Sequence, residues 1–345
     1  MRENITSENA HYLNVLSEVR TGWISHLEWA ADGFTVGIAG AEGVQVYSGK
    51  FGGTPTHTIG GHSGHVKGVA FTPYAWDVSR QLMASCGSDT TIKLWDISNL
   101  KDSIQEIGTL TSHQDSVDAL TFALDPEGRL ILAACGADGK IILHDVDTQT
   151  IIATLTGHQA EVTSAVFALK NHVIISGSRD KSVRLWDTRG ETEGTIIGEH
   201  DDWVRDVCAS PTGTMVASAS KDMTVRLWDP HSGEMYALIQ AHADGADCVR
   251  FSPDGDLLAT GGRDNVVRLW DVNTILRKRK LTTSDAVATL NAHDKPVLTI
   301  GFNGTGTLLA SGSGDNSVKL WSVNRTTQLG ETPPRETQTA ILDSE

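Results

Sequence analysis

Apolar and polar residues alternate in short runs along most of this chain. Residues 203–209 (WVRDVCA), 214–219 (TMVASA), 224–228 (TVRLW) and 235–239 (MYALI) show the pattern, with turn formers such as Ser210-Pro211-Thr212-Gly213 between them. A period of two over about five to seven residues, interrupted by turn chemistry, predicts strands rather than helices.

The pattern recurs. VRLWD ends at Asp187, Asp229 and Asp271, 42 residues apart, IKLWD ends at Asp96 and VKLWS at Ser322. IILHD, ending at Asp145, and VQVYS, ending at Ser48, are weaker copies, which makes seven. Five copies hold Ser or Thr, then Asp four residues on, then Trp six further: Ser85, Asp89, Trp95; Ser176, Asp180, Trp186; Ser218, Asp222, Trp228; Thr260, Asp264, Trp270; Ser311, Asp315, Trp321. His158, His200, His242 and His293 each precede their Trp by 28 residues, and His62 and His113 take that place in two longer copies. Copy three keeps His113 and Asp138 but has Ala134 for Ser and His144 for Trp. Copy one has Tyr47 for Trp and Arg20 for His. A period of about 40–45 residues with four strands per unit indicates propeller blades. The expected fold is all-β, a seven-bladed β-propeller of four-stranded antiparallel blades.

Over residues 11–323 these motifs resemble the WD-repeat (WD40) family. The resemblance implies that the Ser/Thr, His, Asp and Trp of a copy hydrogen-bond to one another. The chemistry agrees: a buried Trp N–H needs an acceptor, a hydroxyl can accept it and donate onward, and an Asp can accept from His. Repetition in five copies makes these residues scaffold rather than catalytic triads, and one His per blade is not a metal cluster. By the same phase, the segment 12–19 (YLNVLSEV) is expected to be the outer strand of the last blade, closing the ring. Residues 1–10 are expected to be a flexible N-terminus and 324–345 a disordered tail.

Composition narrows the function. With 39% apolar and 21% charged residues the chain of 345 is globular. Its net charge of −15 makes nucleic acid an unlikely partner. Cys86, Cys135, Cys208 and Cys248 form no C-x-x-C pair, and no signal peptide or spanning run is visible, so a cytoplasmic protein outside the membrane is expected. No phosphate loop, nucleophile elbow or H-E-x-x-H motif is present; no enzyme activity, cofactor or metal is expected.

Function is therefore expected at surfaces. The resemblance implies a top face that binds peptides, through positions three and five residues after the His and just before the turn Asp. The candidate partner-binding residues are Trp23, His65, Lys67, Arg179, Trp203, Arg205, Lys221 and Arg263. Trp203 with Arg179, Arg205, Lys221 and Arg263 suggests a groove for an acidic or aromatic-containing peptide across blades four to six. The opposite face receives the insertions 73–81, with Tyr74 and Trp76, 98–106, and 274–286, with the basic run 277–280 (RKRK), open to an acidic or nucleic-acid contact. The sequence Trp186-Asp187-Thr188-Arg189 resembles the box that docks substrate receptors on a cullin-ligase adaptor. The reading is a non-catalytic protein-interaction scaffold, a single propeller inside a larger complex.

Overall fold

The computed structural model describes residues 2–73, 80–188, 193–291, 293–324 and 340–341. Seven antiparallel sheets surround a channel. Their innermost strands are Ile24–Trp29, Val66–Phe71, Val117–Leu124, Val162–Ala168, Val204–Ala209, Ala246–Phe251 and Val297–Phe302, for blades one to seven. Leu13–Arg20 is the outer strand of blade seven, antiparallel to Ser317–Val323 from Leu13↔Val323 to Arg20↔Ser317. The first and last strands of the ring thus share one sheet, and the ring has no open junction.

The second strands carry small apolar residues buried on both faces, as in Leu82–Gly87 and Leu130–Gly136. Each Trp fills the gap toward a neighbouring blade. Trp186 of blade four is 1% exposed and packs among Ile141, Leu143 and Leu155 of blade three.

The hydrogen-bonded sets hold these blades. In blade five, Trp228 Nε1 donates to Ser218 Oγ at 2.8 Å, His200 Nε2 meets the same oxygen at 2.8 Å, and His200 Nδ1 donates to Asp222 at 2.8 Å. Blades two, four, six and seven repeat this through Ser85, Ser176, Thr260 and Ser311. His62, His158, His242 and His293 then reach Asp89, Asp180, Asp264 and Asp315. A further member escaped the sequence reading, although its period gave it away. The hydroxyl two residues after the Asp also donates to it: Thr91, Ser182, Thr224 and Ser317, at 2.6–2.8 Å. The residue two before the Asp must be small. A Cβ on Gly262 would meet the His242 ring at 2.4 Å, and one on Gly136 would meet His113 Nδ1 at 2.5 Å.

Blade three shows what the missing hydroxyl costs. His113 still reaches Asp138 at 3.1 Å, but with Ala134 in place of Ser its Nε2 is buried without a partner. His144 turns to Ser112 Oγ at 2.9 Å. Giving His113 Nε2 an acceptor should help: Ala134→Ser is expected to raise stability by about 1 kcal/mol in urea unfolding. A loss of stability would show that the hydroxyl finds no room there.

Three features lie outside the repeat pattern. The N-terminus is packed: Ile5 and Ala10 are buried against blades six and seven, and Ile5 N donates to Gly306 O at 2.9 Å. An isolated isoleucine gave no periodic signal. Within the expected tail, Ala340–Ile341 pairs with Phe51 and Lys50. The 274–286 insertion is more than a loop: Val272–Lys278 is a helix, and Lys280–Leu281 adds a parallel fifth strand to blade five. All four cysteines are free and buried. No helix of the described residues is long and apolar enough to cross a membrane.

Candidate functional site

Every innermost strand has a register shift at its second residue. The shifts fall between Ile24/His26, Val66/Gly68, Val117/Ala119, Val162/Ser164, Val204/Asp206, Ala246/Cys248 and Val297/Thr299. A bulge leaves one residue out of the ladder and re-aims its side chain. Those residues are Ser25, Lys67, Asp118, Thr163, Arg205, Asp247 and Leu298, and all seven line one concavity of about 260 Å³ at the channel mouth. Each lies five residues after its His, or after Arg20 in blade one, so the spacing already pointed at them.

Trp23, Ile24, Glu161, Arg179 and Trp203 complete the lining. Trp23 is 54% exposed. Trp203 is half-buried and held by cations: Lys221 Nζ lies 4.6 Å from its ring centroid, Arg179 Cζ 4.8 Å and Arg205 Cζ 6.0 Å. At this part-exposed site such contacts contribute roughly 0.5 kcal/mol each and fix the ring. Of the sequence candidates, Trp23, Lys67, Arg179, Trp203 and Arg205 converge on the mouth. Lys221 and Arg263 stand behind it, against Trp203 and Asp247, and His65 is exposed outside the lining.

The cations of the mouth are answered by carboxylates that no sequence spacing singles out. Arg179 pairs with Glu161 at 3.0 Å and Lys221 with Asp202 at 3.1 Å. Arg205 lies 2.9 Å and Arg263 3.3 Å from Asp247. Burial nevertheless pushes the carboxyls of Asp118, Glu161 and Asp247 up, and lowers the basicity of Arg205. The mouth is a desolvated charge mosaic rather than a bare cationic patch.

Below it the channel widens to a cavity of about 440 Å³ lined partly by His26, Glu28, Asp206 and Arg250. Arg250 Nη1 donates to Asp206, which also accepts from Val249 N at 3.0 Å and Ser164 Oγ at 3.0 Å across two blade junctions. Burial pushes Glu28 up to about 7 and His26 down to about 3. These charges went unnoticed in the sequence, although ISHLEW and VRDVCA place them on a strand face that the alternation turns toward the channel. No group of three His, Cys, Asp or Glu side chains suited to a metal occurs among the described residues.

Arg189, Tyr74 and Trp76 lie outside the described residues. Trp186 is buried and committed to Ser176.

The family model described as "WD domain, G-beta repeat" matches residues 53–96, 104–145, 149–187, 191–229, 233–271 and 284–322. Among curated proteins, the chain is 34% identical to the nuclear distribution protein PAC1 of Coccidioides posadasii over 171 residues, 46% of this chain and 33% of the relative. It is 30% identical to PAC1 of Fusarium vanettenii over 220 residues, 44% and 48% of the two chains. It is 32% identical to the nuclear distribution protein nudF of Aspergillus niger over 163 residues, 46% and 34%. The chain thus spans between a third and a half of the length of these relatives. Each matched repeat runs from the outer strand of one blade through the third strand of the next. With six such repeats over more than half of its residues, the chain belongs to the WD-repeat family.

Proposed function

We propose that this chain is a non-catalytic scaffold that holds a partner peptide across the channel mouth. Propellers of its family generally bind other proteins. The observation that carries the reading is the bulge ring itself, bordered by a fixed Trp203 and an exposed Trp23. Pre-positioned aromatic rings beside Arg lose little entropy on binding and form hot spots. An aromatic-containing peptide suits them. An acidic one would compete with Glu161, Asp202 and Asp247 for the same cations. The relatives' name suggests that the partner belongs to machinery of nuclear distribution. A cytoplasmic location is part of the proposal and rests on four unpaired, buried thiols.

The structure guides the choice of variant. Arg205→Ala would leave Asp247 with Arg263 alone, whereas Trp23 and Trp203 can be cut back without opening the core. Trp23→Ala with Trp203→Ala is expected to weaken capture of the chain's partners at least tenfold, measured by quantitative affinity purification, while the chain stays folded with a stability loss of about 1–2 kcal/mol from the cation contacts of Trp203. Unchanged capture of every partner would refute the top-face assignment.

A further inference from the structure

The insertion after the third strand of blade six builds a ledge on blade five. Asp271 caps the helix Val272–Lys278 by accepting from Thr274 N at 2.7 Å. Ile275 is buried in the cluster that contains Ala237 and Ile239 of blade five. The helix stops at Arg279, whose φ is 58° and whose N–H returns to Ile275 O at 2.8 Å. Arg279 O then accepts from Leu238 N at 2.9 Å, and Lys280–Leu281 pairs with Leu238 and Ile239. Backbone bonds on both sides fix residues 275–281, so their outward side chains are presented from a rigid support.

Those side chains are Leu276, Arg277, Arg279 and Lys280. Lys278 is occupied by Asp285 at 2.5 Å, whereas among the described residues Arg277, Arg279 and Lys280 have no ion pair. Arg80, Arg129 and Arg226 have carboxylate partners, and other cations without an ion pair among the described residues, such as Lys101, Lys140 and Lys170, occur singly along the sequence, whereas here three fall within four residues. Leu276 is 37% exposed beside the three, and Met235 is 42% exposed at the start of the strand that the ledge covers.

A chain of net charge −15 keeps a run of unanswered cations here, beside the exposed Leu276 and against the strand that begins at the exposed Met235. We infer that this ledge docks an acidic protein segment carrying apolar side chains. Carboxylates would meet Arg277, Arg279 and Lys280, and the apolar groups would cover Leu276 and Met235. Nucleic acid suits the ledge less. A phosphate backbone offers Leu276 and Met235 nothing, and the net charge opposes it. Three cations and two apolar side chains are also few for holding a membrane surface. In blade five the strands Val216–Ser220, Thr224–Trp228 and Met235–Gln240 lie between the ledge strand and the innermost strand, and no ledge residue lines the channel mouth. The inference therefore stands apart from the top-face function.

The probe is a fluorescent 16-residue peptide of Glu, Leu and Phe, titrated into the full chain, with a Glu–Ser peptide and a 16-nucleotide single strand as comparisons. The Glu/Leu/Phe peptide should bind more tightly than either. Arg277→Ser with Arg279→Asn and Lys280→Ser should weaken it at least tenfold, Asn being at ease at positive φ. Leu276→Ser should weaken it about threefold, and Trp23→Ala with Trp203→Ala should leave it unchanged. Absence of measurable binding, equal affinity in the triple variant, or tighter binding of the oligonucleotide would overturn the inference.

Discussion

Trp270→Ala is expected to destabilise the ring by about 3–5 kcal/mol, read as a loss of stability in urea. The Trp270 side chain is fully buried between blades five and six, against Leu258, Val272, Ile275 and Leu281. Its removal opens a cavity in a junction that has no flexible wall to collapse into. It also takes away the donor that meets Thr260 Oγ1 at 3.0 Å, the oxygen on which His242 Nε2 leans at 2.9 Å. Thr260→Val isolates the polar part. Shape is kept, but the Trp270 and His242 nitrogens both lose their partner, at a cost of roughly 2–4 kcal/mol. A cost below about 1 kcal/mol for Trp270→Ala would mean that the junctions are loosely packed and that the repeated sets contribute little.

The blades were legible because their stabilising groups recur at fixed spacing in one strand pair and its turn. Ser218, Asp222 and Trp228 lie within eleven residues of one another, so the sequence carries the geometry directly. The damage in blade three was legible for the same reason, at Ala134 and His144. Features made by distant segments were not. Asp206 joins Ser164 and Arg250 across two junctions, and Asp247 takes up both Arg205 and Arg263. No local spacing announces such partners. That is why the mouth read as cationic from Arg179, Arg205, Lys221 and Arg263 and is a mosaic in the fold. The bulge ring sits between these cases. Its positions followed from the His spacing, but the register shift that turns all seven side chains into one mouth did not.

The second large effect is acid unfolding that begins only below about pH 4. Burial alone would raise the carboxyls of Asp89, Asp180, Asp222, Asp264 and Asp315. Hydrogen bonds from the His ring, turn N–H groups and, in four blades, a hydroxyl outweigh it and hold all five low, Asp89 and Asp315 at about 2. A carboxyl with a depressed folded pKa contributes stability that is complete above its unfolded value near 3.8. The contribution is lost as pH falls through the folded value. A shift from 3.8 to about 2 corresponds to about 2 kcal/mol. Five such groups together make a sizeable part of the stability of a domain depend on their ionisation. Between pH 7 and 4.5 two effects oppose each other. Burial lowers His144 to about 4 and His26 to about 3, so their contributions fade as pH falls below 6.5. Glu28, raised by burial to about 7, contributes most below 4.5 and loses that contribution as pH rises. Burial also lowers His200 and His293, so the histidines outweigh Glu28; stability should decline gradually across that window and drop steeply beneath it. In urea titrations from pH 5 to 3, Asp264→Asn should flatten the slope by up to one proton. A wild-type chain already unfolding at pH 5.5, or an unaltered slope in the variant, would contradict this assignment.

The central claim is a division of labour: the His, Ser/Thr, Asp and Trp sets hold the ring, and the bulge-ringed mouth binds. The most direct measurement takes a partner captured by the wild-type chain and titrates it, by calorimetry, into Thr260→Val and into Trp23→Ala with Trp203→Ala, each also unfolded in urea. The division predicts that Thr260→Val loses roughly 2–4 kcal/mol of stability and keeps its affinity while folded, and that the double Trp variant stays folded, loses only about 1–2 kcal/mol of stability and loses at least tenfold in affinity. The reverse pattern, with affinity lost in Thr260→Val and retained in the double Trp variant, would contradict it.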